Sequence, residues 1–415
     1  MRRIKKAFYF SLRFTVKAGL YFYFSKIKVS GIEKIPKDVP VIFGANHENA
    51  FMDALLIATH TTKYCHYLVR ADIFKIGWVK TLLSWINMMP IYRIRDGFRT
   101  LKSNQDVFIN CYKILHKGES IIMFPEGNHN IRRVERRITK GISKIALGAV
   151  HSSEYPSHPV IIPVGLNYSC HRSFRSTVHI VFGHPLKTET EESTSTNQQN
   201  LRNIINEELN NCHIRLPNTM YAFAYALWIQ MKSGVNFDHP HVTNAEIRKI
   251  INAFDDSDKK KYNDIAGKFL GYLDAYGVSY FQLHQNPVWN IIQMILLLPL
   301  ALLGLVNHIV PLTILQWIVH FKIKDHIFDS SIKFSIGYFL IVTNYILLML
   351  YLSDVLGALW MMAYLISLPM SLVALKYTWD RIKTLRAQVK YAYHKKQKNS
   401  YTQVKQSLID FINPV

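Results

Sequence analysis

The sequence predicts an α/β domain with a mixed sheet flanked by helices, followed by a C-terminal α-helical transmembrane region. Between residues 29 and 186, short apolar segments of strand length alternate with helical stretches, which is typical of α/β layer folds. Between residues 288 and 375 the chain becomes almost uniformly apolar. Crossing a bilayer takes about 20 apolar residues, and three of the four apolar stretches in this region reach that length.

The amino-acid composition indicates which kind of molecule the protein binds. The chain has 415 residues, room for two or more domains, and its formal net charge of +22 indicates an anionic partner. The long apolar runs and an aromatic content of 13% favour an anionic membrane surface over a nucleic acid. The sequence carries no zinc-finger, helix-turn-helix or aromatic RNA-binding signature, so we expect no nucleic-acid partner. Its four cysteines form no CxxC pair, which favours the reducing cytosolic side.

Residues 1–28 predict a basic amphipathic helix at the membrane interface. Arg2, Lys6, Arg13 and Lys17 share a narrow stripe of this helix, and the aromatic residues lie largely elsewhere on it. A cationic stripe beside an aromatic face suits a helix that lies among lipid headgroups. The alternative is an amphipathic helix packed on its own domain.

Residues 29–186 form the predicted α/β domain. Its candidate strands are short and apolar, as expected of buried strands. They are Val39–Ala45, Tyr67–Val69, Ile91–Arg93, Ser120–Phe124, Val160–Leu166 and Val178–Phe182. The candidate helices are Ala50–Thr59, Gly97–His116 and Thr139–His151.

Residues 187–287 are predicted to be a linker and a helical connector. Thr188 to Gln199 is rich in Thr, Ser, Glu and Gln, which indicates an exposed loop. Helical patterns follow at residues 200–212, 219–232 and 243–276. Because no motif in this region suggests chemistry, we expect it to connect or cover the α/β domain.

Residues 288–375 are predicted to form two transmembrane hairpins. The first, Val288–Phe321, would turn at Asn307 and His308, and the second would span Phe334–Leu375. Lysine and arginine residues flank the loop between the hairpins and crowd residues 376–415, a predicted basic cytoplasmic tail. Since basic loops stay on the cytoplasmic side, the equally basic α/β domain is expected on the cytoplasmic face as well.

The stretch from Asn46 to Asp53 has the clearest chemistry. His47 stands at the end of a predicted strand, and Asp53 lies in the first turn of the next predicted helix. An imidazole can take a proton from a hydroxyl group only in the right tautomer, and a carboxylate on its other nitrogen holds that tautomer. On one continuous helix this spacing would put the two on different faces. His47 must therefore lie in the turn, with Asn49 as the N-cap.

Further blocks follow this stretch in a fixed order. They are Leu68–Asp72, Met89–Arg95, the Phe-Pro-Glu-Gly block at Phe124–Gly127, and Val160–Val164. Together, in this order and at these distances, the blocks resemble the glycerolipid acyltransferases of the lysophosphatidate and glycerol-3-phosphate acyltransferase superfamily. The resemblance covers about Val29 to Pro185.

Two departures from the family pattern concern the acceptor. The commonest form has four residues between His and Asp, whereas five separate His47 from Asp53 here. The longer spacing resembles the branch that acts on glycerol-3-phosphate or dihydroxyacetone phosphate. In addition, Asn128 stands where Ser or Thr often follows the Glu-Gly pair. These departures bear on the acceptor and leave the reaction class unchanged.

The resemblance implies an O-acyltransferase of glycerophospholipid synthesis and a role for each matched residue. His47 is the implied general base and Asp53 its orienting carboxylate. Glu126 and Gly127 are carried over as substrate-binding residues. Arg93 is the implied ligand of the acceptor phosphate, because a guanidinium fork meets two phosphate oxygens at once.

Other candidate substrate-binding residues lie near these positions. Arg70 ends a predicted strand, Lys140 precedes Gly141, and Asn46 precedes the histidine of the first block. Arg95 is a weaker candidate, since it shares the strand face of Arg93 but lies further along.

The chain after the Phe-Pro-Glu-Gly block allows two interpretations. The basic run Arg132, Arg133, Arg136 and Arg137 either binds substrate or forms a solvated or lipid-facing surface. His129 is near enough to rival the proposed base, but the sequence gives it no carboxylate at a suitable spacing.

The implied reaction needs a co-substrate and no metal or other cofactor. The chain has no GxSxG nucleophile elbow, so the acyl group of acyl-CoA or acyl-carrier protein is expected to pass directly to the acceptor. The implied partners are a lipid bilayer, this acyl donor and a phosphorylated glycerol: glycerol-3-phosphate, dihydroxyacetone phosphate or 1-acylglycerol-3-phosphate. Two other interpretations stay open. The acceptor is a lyso-aminolipid or another hydroxylated lipid, or the chain is a non-catalytic membrane scaffold.

Overall fold

The computed structural model describes residues 2–71, 74, 77–91, 100–188, 192–231 and 239–396. The chain forms two compact units. The first combines Met1–Arg215, Phe237–Asn244 and Asp325–Phe334, and the second combines Leu216–Asn236, Ala245–Lys324 and Ser335–Val415. The α/β domain lies in the first unit, and most of the length of the apolar helices lies in the second.

A mixed sheet is the frame of the first unit. The described strands are β1 (Lys26–Ser30), β2 (Val41–Ala45), β3 (Cys65–Arg70), β4 (Met88–Ile91), β5 (Ser120–Met123), β6 (Val160–Tyr168), β7 (Thr177–Phe182) and β8 (Leu186–Lys187). They lie in the order β1-β7-β6-β2-β5-β3-β4, and β8 pairs with β6. All neighbours from β6 to β4 run parallel, whereas β6 is antiparallel to β7 and β8. The predicted mixed sheet is therefore confirmed.

Helices cover both faces of this sheet. They are α1 (Arg2–Tyr23), α2 (Ala50–Thr59), α3 (Gly77–Trp85), α4 (Thr100–His116), α5 (Lys140–Val150) and α6 (Ser195–Cys212). Val41 and Phe43 of β2 pack among residues of α1 and α2, whereas Ile42 packs among residues of α4, α5 and α6. Successive side chains of a strand point to opposite faces. The apolar run of β2 is thus buried between two helical layers.

Parallel pairing brings the ends of several strands to one edge of the sheet. β2 is parallel to both β5 and β6, so the segments that follow Ala45, Met123 and Tyr168 leave the sheet at the same edge. The first of these segments carries His47 and Asp53, and the second carries the Phe-Pro-Glu-Gly block. In α/β sheets this carboxyl edge is where ligands bind. The topology therefore gathers the predicted site residues.

The N-terminal helix α1 has features of a helix packed on its own domain and of a helix at a membrane interface. Tyr9, Leu20 and Tyr23 are buried in the core beside α2 and the sheet. Other large apolar side chains of α1 are exposed: Ile4, Phe8, Phe10, Leu12, Phe14 and Tyr21. One side of α1 packs on its own domain, and an aromatic side remains open. Its placement at a membrane interface stays a prediction.

Three features of the first unit differ from the sequence expectation. The edge strand β1 pairs with β7, although the lysines at positions 26 and 28 gave it no apolar pattern. The strand predicted at Ile91–Arg93 begins earlier, as β4, and residues 92–93 lie outside the described residues. The compact unit also continues to Arg215, past the predicted domain end at residue 186.

Helices dominate the chain beyond the α/β domain. Those described are α7 (Tyr221–Met231), α8 (Pro240–Asn252), α9 (Asp256–Tyr276), α10 (Tyr280–His284), α11 (Pro287–Lys322), α12 (Asp329–Leu352) and α13 (Ala358–Lys396). Within the described residues, three helices are long and apolar enough to cross a membrane, and they correspond to α11, α12 and α13.

The turn predicted at Asn307 and His308 is wrong. α11 runs through both residues without a break, so Val288–Phe321 is one helix rather than a hairpin. Asn307 Nδ2 donates to the Leu303 carbonyl at 2.8 Å, and His308 Nε2 lies 2.9 Å from the Tyr345 hydroxyl of α12. Polar side chains inside apolar helices are commonly satisfied by carbonyls and neighbouring helices in this way. The adjacent pair therefore does not end the helix.

Two glycines with positive φ allow a matched test of the sheet edge. Gly31 follows β1 with φ of 76°, and an added Cβ would lie 2.1 Å from the Phe182 carbonyl oxygen. Gly118 has φ of 71° with nothing within 4 Å of such a Cβ. Gly118→Ala should cost only the left-handed strain of about 1–2 kcal/mol. Gly31→Ala adds a backbone clash and should lower the thermal unfolding midpoint further. Equal midpoints for the two variants would contradict this packing.

Candidate active site

His47 and Asp53 form a hydrogen-bonded pair at the carboxyl edge of the sheet. His47 Nδ1 lies 2.8 Å from Asp53 Oδ2. An ionised carboxylate can only accept, so the proton of this hydrogen bond belongs to Nδ1. Nε2 is then the nitrogen left to take a proton from a substrate, and the His47 side chain is 17% exposed. The geometry expected of a base and its orienting carboxylate is present.

Asp53 is held by four donors. Besides His47, its Oδ2 accepts from the backbone N–H groups of Glu48 at 3.0 Å and Asn49 at 2.8 Å. Its Oδ1 accepts from the Tyr168 hydroxyl at 2.5 Å. Burial and the neighbouring Asp53 raise the pKa of Tyr168 well above its ordinary value, so this hydroxyl stays protonated and donates. The carboxylate is fully buried, and these bonds fix its position.

The turn between the two residues has unusual backbone geometry. Ala50, the first residue of α2, has φ of 45°, a left-handed value that is costly for a residue with a side chain. Asn49 is the N-cap, as predicted, but its side chain makes no capping bond. Its Nδ2 donates instead to the His171 carbonyl at 3.1 Å, in the loop after β6.

The His47 ring is placed by the segment after β5. It stacks on Phe124 with ring centroids 3.9 Å apart and planes 11° apart. The His47 carbonyl accepts from the Asn130 N–H at 2.9 Å, and the His47 N–H donates to Glu126 Oε2 at 3.2 Å. The segment after β5 therefore holds both the backbone and the ring of the candidate base.

Glu126 is a partner of cations in the structure. Arg136 Nη1 lies 2.7 Å from Oε2, and the buried Arg215 places Nη2 3.2 Å from Oε1. Glu126 therefore holds two guanidinium groups beside His47, and its predicted contact with substrate stays a prediction. Gly127 has φ of 79°, which explains the glycine, but its N–H is used in a turn with the Phe124 carbonyl.

Glu48, next to the candidate base, is the centre of a second ionic cluster. His171 Nε2 lies 2.7 Å from Oε2, Arg133 Nη1 3.3 Å from Oε2, and His213 Nε2 2.8 Å from Oε1. Burial alone would raise the pKa of Glu48. The charges of His213 and Arg133 and the hydrogen bond from His171 outweigh burial and lower that pKa, so the carboxyl group is ionised.

The structure divides the basic run after the Phe-Pro-Glu-Gly block. Arg133 is buried against Glu48 and the Tyr168 carbonyl, and Arg136 binds Glu126 and Asn128. For these two arginines the interpretation as a solvated or lipid-facing surface is wrong, because their charges are neutralised inside the protein. Arg132 and Arg137 are exposed.

The remaining predicted residues have mixed outcomes. Asn46 was predicted to bind substrate, but its amide is used within the sheet. Its Nδ2 donates to the Leu166 carbonyl, and its Oδ1 accepts from the Leu166 N–H. Lys140 is exposed at the start of α5, and Arg70 is the last residue of β3. Arg93 and Arg95 lie outside the described residues.

His129 has a carboxylate partner that the sequence did not reveal. Its Nε2 lies 3.4 Å from Asp325 Oδ2, in a segment almost two hundred residues away. Its ring lies 5.6 Å from that of His47 and 5.1 Å from that of Phe328. A second imidazole therefore borders the candidate base. In the described ranges, no group of His, Cys, Asp and Glu side chains is arranged to hold a metal ion.

Comparison with known proteins identifies the segment that carries this site. Residues 26–167 match the family model described as Acyltransferase. These residues therefore resemble an acyltransferase domain. They include the His47–Asp53 pair and the Phe-Pro-Glu-Gly block, so the predicted resemblance to the glycerolipid acyltransferase superfamily is confirmed.

Two proteins that are similar to this segment are both named 1-acyl-sn-glycerol-3-phosphate acyltransferase. The chain is 29% identical over 136 residues to 1-acyl-sn-glycerol-3-phosphate acyltransferase of Borreliella burgdorferi, covering 33% of this chain and 52% of that protein. It is 28% identical over 108 residues to a chloroplastic 1-acyl-sn-glycerol-3-phosphate acyltransferase of Arabidopsis thaliana, covering 26% of this chain and 28% of that protein. The chain thus spans about half or less of the length of these relatives.

One solved structure is also similar to the chain. It is the crystal structure of the 1-acyl-sn-glycerophosphate acyltransferase of Thermotoga maritima, with 19% sequence identity and a TM-score of 0.37. The similarity covers 50% of this chain and 78% of that chain.

Arg215 offers a test of the ionic contacts around Glu126. Arg215→Gln would leave a buried carboxylate with one cation fewer, and breaking a buried ion pair costs about 3–5 kcal/mol. The thermal unfolding midpoint should fall by several degrees. Arg137→Gln, at an exposed position near the same loop, is the matched control and should unfold like the parent. Identical midpoints for Arg215→Gln and the parent would show that this contact contributes nothing.

Proposed function

We propose that this protein is a membrane-bound O-acyltransferase of glycerophospholipid synthesis, with His47 as its general base. The observation that carries the proposal is the 2.8 Å contact between His47 Nδ1 and Asp53 Oδ2, within the segment that matches the acyltransferase family. The relatives matched by this segment are named for transfer to 1-acyl-sn-glycerol-3-phosphate. A phosphorylated glycerol with a free hydroxyl group is therefore the proposed acceptor.

The proposed reaction is direct attack on a thioester. The acceptor hydroxyl gives its proton to His47 Nε2 while its oxygen attacks the carbonyl carbon of acyl-CoA or acyl-carrier protein. Asp53 keeps the imidazole in place and stabilises the imidazolium that forms. When the tetrahedral intermediate collapses, the carbon–sulfur bond breaks and the proton passes from His47 to the departing thiolate. The products are an ester and a free thiol.

A phosphorylated acceptor is supported by basic residues at or soon after the ends of two strands in the sequence. β3 and β4 run parallel to β5, so their carboxyl ends lie at the same edge as that of β2. β3 ends at Arg70, and β4 ends two residues before Arg93. Arg136 and Arg215 are already engaged by Glu126. We therefore propose Arg93 as the main phosphate ligand, with Arg70 and Lys140 as further candidates.

The membrane part of the proposal rests on apolar surface. Three long apolar helices are compatible with a bilayer, and α1 exposes six large apolar side chains next to basic residues. Acyl chains would then stay in an apolar medium, where each buried methylene contributes about 0.8 kcal/mol. The basic residues of α1 and of the C-terminal tail favour the cytoplasmic face for the catalytic domain.

His47→Ala and Asp53→Asn test the proposed base. General-base catalysis typically contributes about 10²–10⁴-fold, so His47→Ala should lower the transfer of labelled acyl groups in membranes by at least ~100-fold. Asp53→Asn should also lower kcat strongly, because it removes the carboxylate that orients the ring. His116→Ala, at the exposed last residue of α4, is the matched control and should keep parent activity.

An acceptor panel with purified protein, using one acyl-CoA and one acyl-carrier protein, separates the remaining alternatives. Glycerol-3-phosphate, dihydroxyacetone phosphate and 1-acylglycerol-3-phosphate are the expected acceptors. Transfer only to a lyso-aminolipid or another hydroxylated lipid would keep the reaction and change the substrate. Full activity of His47→Ala would reject His47 as the base, and no transfer with any pair of substrates would favour a scaffold.

Arg93→Ala should chiefly raise the KM for the acceptor. A phosphate–guanidinium contact binds ground state and transition state alike, so its loss weakens binding with little change in kcat. Initial rates over a range of acceptor concentrations measure the two constants separately. Lys117→Ala, at the opposite edge of the sheet before β5, removes the same charge and should leave KM unchanged. An unchanged KM in Arg93→Ala would remove the phosphate role.

A further inference from the structure

The segment Asp325–Phe334 joins two long apolar helices, yet it packs with the α/β domain. It follows α11 and includes a short 3-10 helix, His326–Phe328, and the first residues of α12. Phe334 is buried in the same core as Tyr23 of α1, with ring centroids 5.7 Å apart. This segment has no part in the family blocks of the sequence, and it lies at the turn that carries the candidate base.

Ser331 of this segment binds the N-terminus of α2. The Met52 N–H is shared between the Asn49 carbonyl oxygen at 3.0 Å and Ser331 Oγ at 3.2 Å, and the Ser331 hydroxyl lies 3.5 Å from that same carbonyl oxygen. The first N–H groups of a helix lack partners within the helix and need caps. The side chain of Asn49, the N-cap residue, makes no capping bond. A buried serine from a distant part of the chain adds a second acceptor for the Met52 N–H beside the Asn49 carbonyl.

The two contacts of Ser331 stand on either side of the strained residue. Ala50, with φ of 45°, lies between Asn49 and Met52, and Asp53 follows directly. Backbone strain of this kind costs about 1–3 kcal/mol and persists only where surrounding structure imposes it. The hydroxyl of Ser331 is one of the groups that contact the chain on both sides of Ala50.

Ser330 is connected to the same turn through the loop after β6. Its hydroxyl donates to the His171 carbonyl, which also accepts from Asn49 Nδ2. His171 in turn binds Glu48 through Nε2. Two adjacent serines therefore hold the main chain and the side-chain acceptor of one residue, Asn49, in the turn between the base and its carboxylate.

We propose that Ser331 is a positioning residue of the acyltransferase site, holding the strained turn so that Asp53 orients His47. This role rests on the proposed function, since it acts through the His47–Asp53 pair. Ser331 contacts neither reacting atom: it sets the geometry of the residues that do. Through this contact, the first turn of α12 acts on the geometry of the catalytic pair.

Kinetics of Ser331→Ala test this role. Losing one hydrogen bond to the turn should lower kcat by about fivefold to tenfold, with the KM for donor and acceptor within about twofold. In an Asp53→Asn background the same substitution should cost less than about twofold, because the pair through which Ser331 acts is already broken. Ser353→Ala removes a hydroxyl that bonds a carbonyl at the end of α12 and should match the parent.

Hydrogen exchange gives a readout that needs no activity. In Ser331→Ala, peptides covering residues 49–54 should exchange about tenfold faster, and peptides of β6 should be unchanged. Ser353→Ala should exchange like the parent throughout. Hydrogen exchange therefore detects a loosened turn even if the protein shows no measurable acyl transfer.

The outcomes separate the two proposals. Parent-like exchange and parent-like kcat in Ser331→Ala would overturn the positioning role, and so would an equal loss of kcat with and without Asp53→Asn. Faster exchange in a protein whose parent transfers no acyl group would defeat the proposed function and leave the hold of Ser331 on the turn supported. If Ser331→Ala lowers kcat in the parent but not in the Asp53→Asn background, both the proposed function and the positioning role are supported.

Discussion

The site depends on one buried carboxylate, that of Asp53, which accepts hydrogen bonds from an imidazole, two backbone N–H groups and a phenol. These donors come from the turn after β2 and from the last residue of β6. A buried charge is tolerated only when it is paired or fully hydrogen-bonded. The same bonds that make Asp53 tolerable in the interior also fix the tautomer and direction of His47.

Two neighbouring acidic residues extend this arrangement. Glu48 forms ionic contacts with Arg133, His171 and His213. Glu126 forms them with Arg136 and Arg215. These partners come from three stretches: the loop after β5, the loop after β6 and the chain after α6. The segments at the carboxyl edge are therefore held to each other by charge, where regular secondary structure has ended. Removing one partner of such a buried pair leaves the other as an unpaired buried charge. These contacts are therefore expected to be costly to break.

The sequence predicted what is local and periodic. The apolar run of β2, the placement of His47 before α2, and the carboxylate six residues later follow from patterns within ten residues. His213 and Arg215 could not be found in this way, because they lie in a region that was predicted to connect or cover. Asp325 precedes a short 3-10 helix and Ser331 lies in the first turn of the apolar helix α12, where the sequence gives no signal for contact with the domain. The turn predicted at Asn307 and His308 failed because a carbonyl one turn back and a tyrosine of α12 satisfy polar groups that the sequence leaves without an evident partner. The predicted role of Arg93 rests on the resemblance and that of Lys140 on its place before Gly141, and both stay predictions.

The central claim is that Asp53 keeps His47 protonated on Nδ1, so that Nε2 can accept the proton of a substrate. Nitrogen-15 NMR of the histidine-labelled protein, with His47→Ala to assign the resonance, reports which ring nitrogen carries the proton. The account predicts that Nδ1 of His47 carries the proton in the parent and that this preference is lost in Asp53→Asn. A parent His47 in the Nε2–H tautomer, with the same signal in Asp53→Asn, would contradict it.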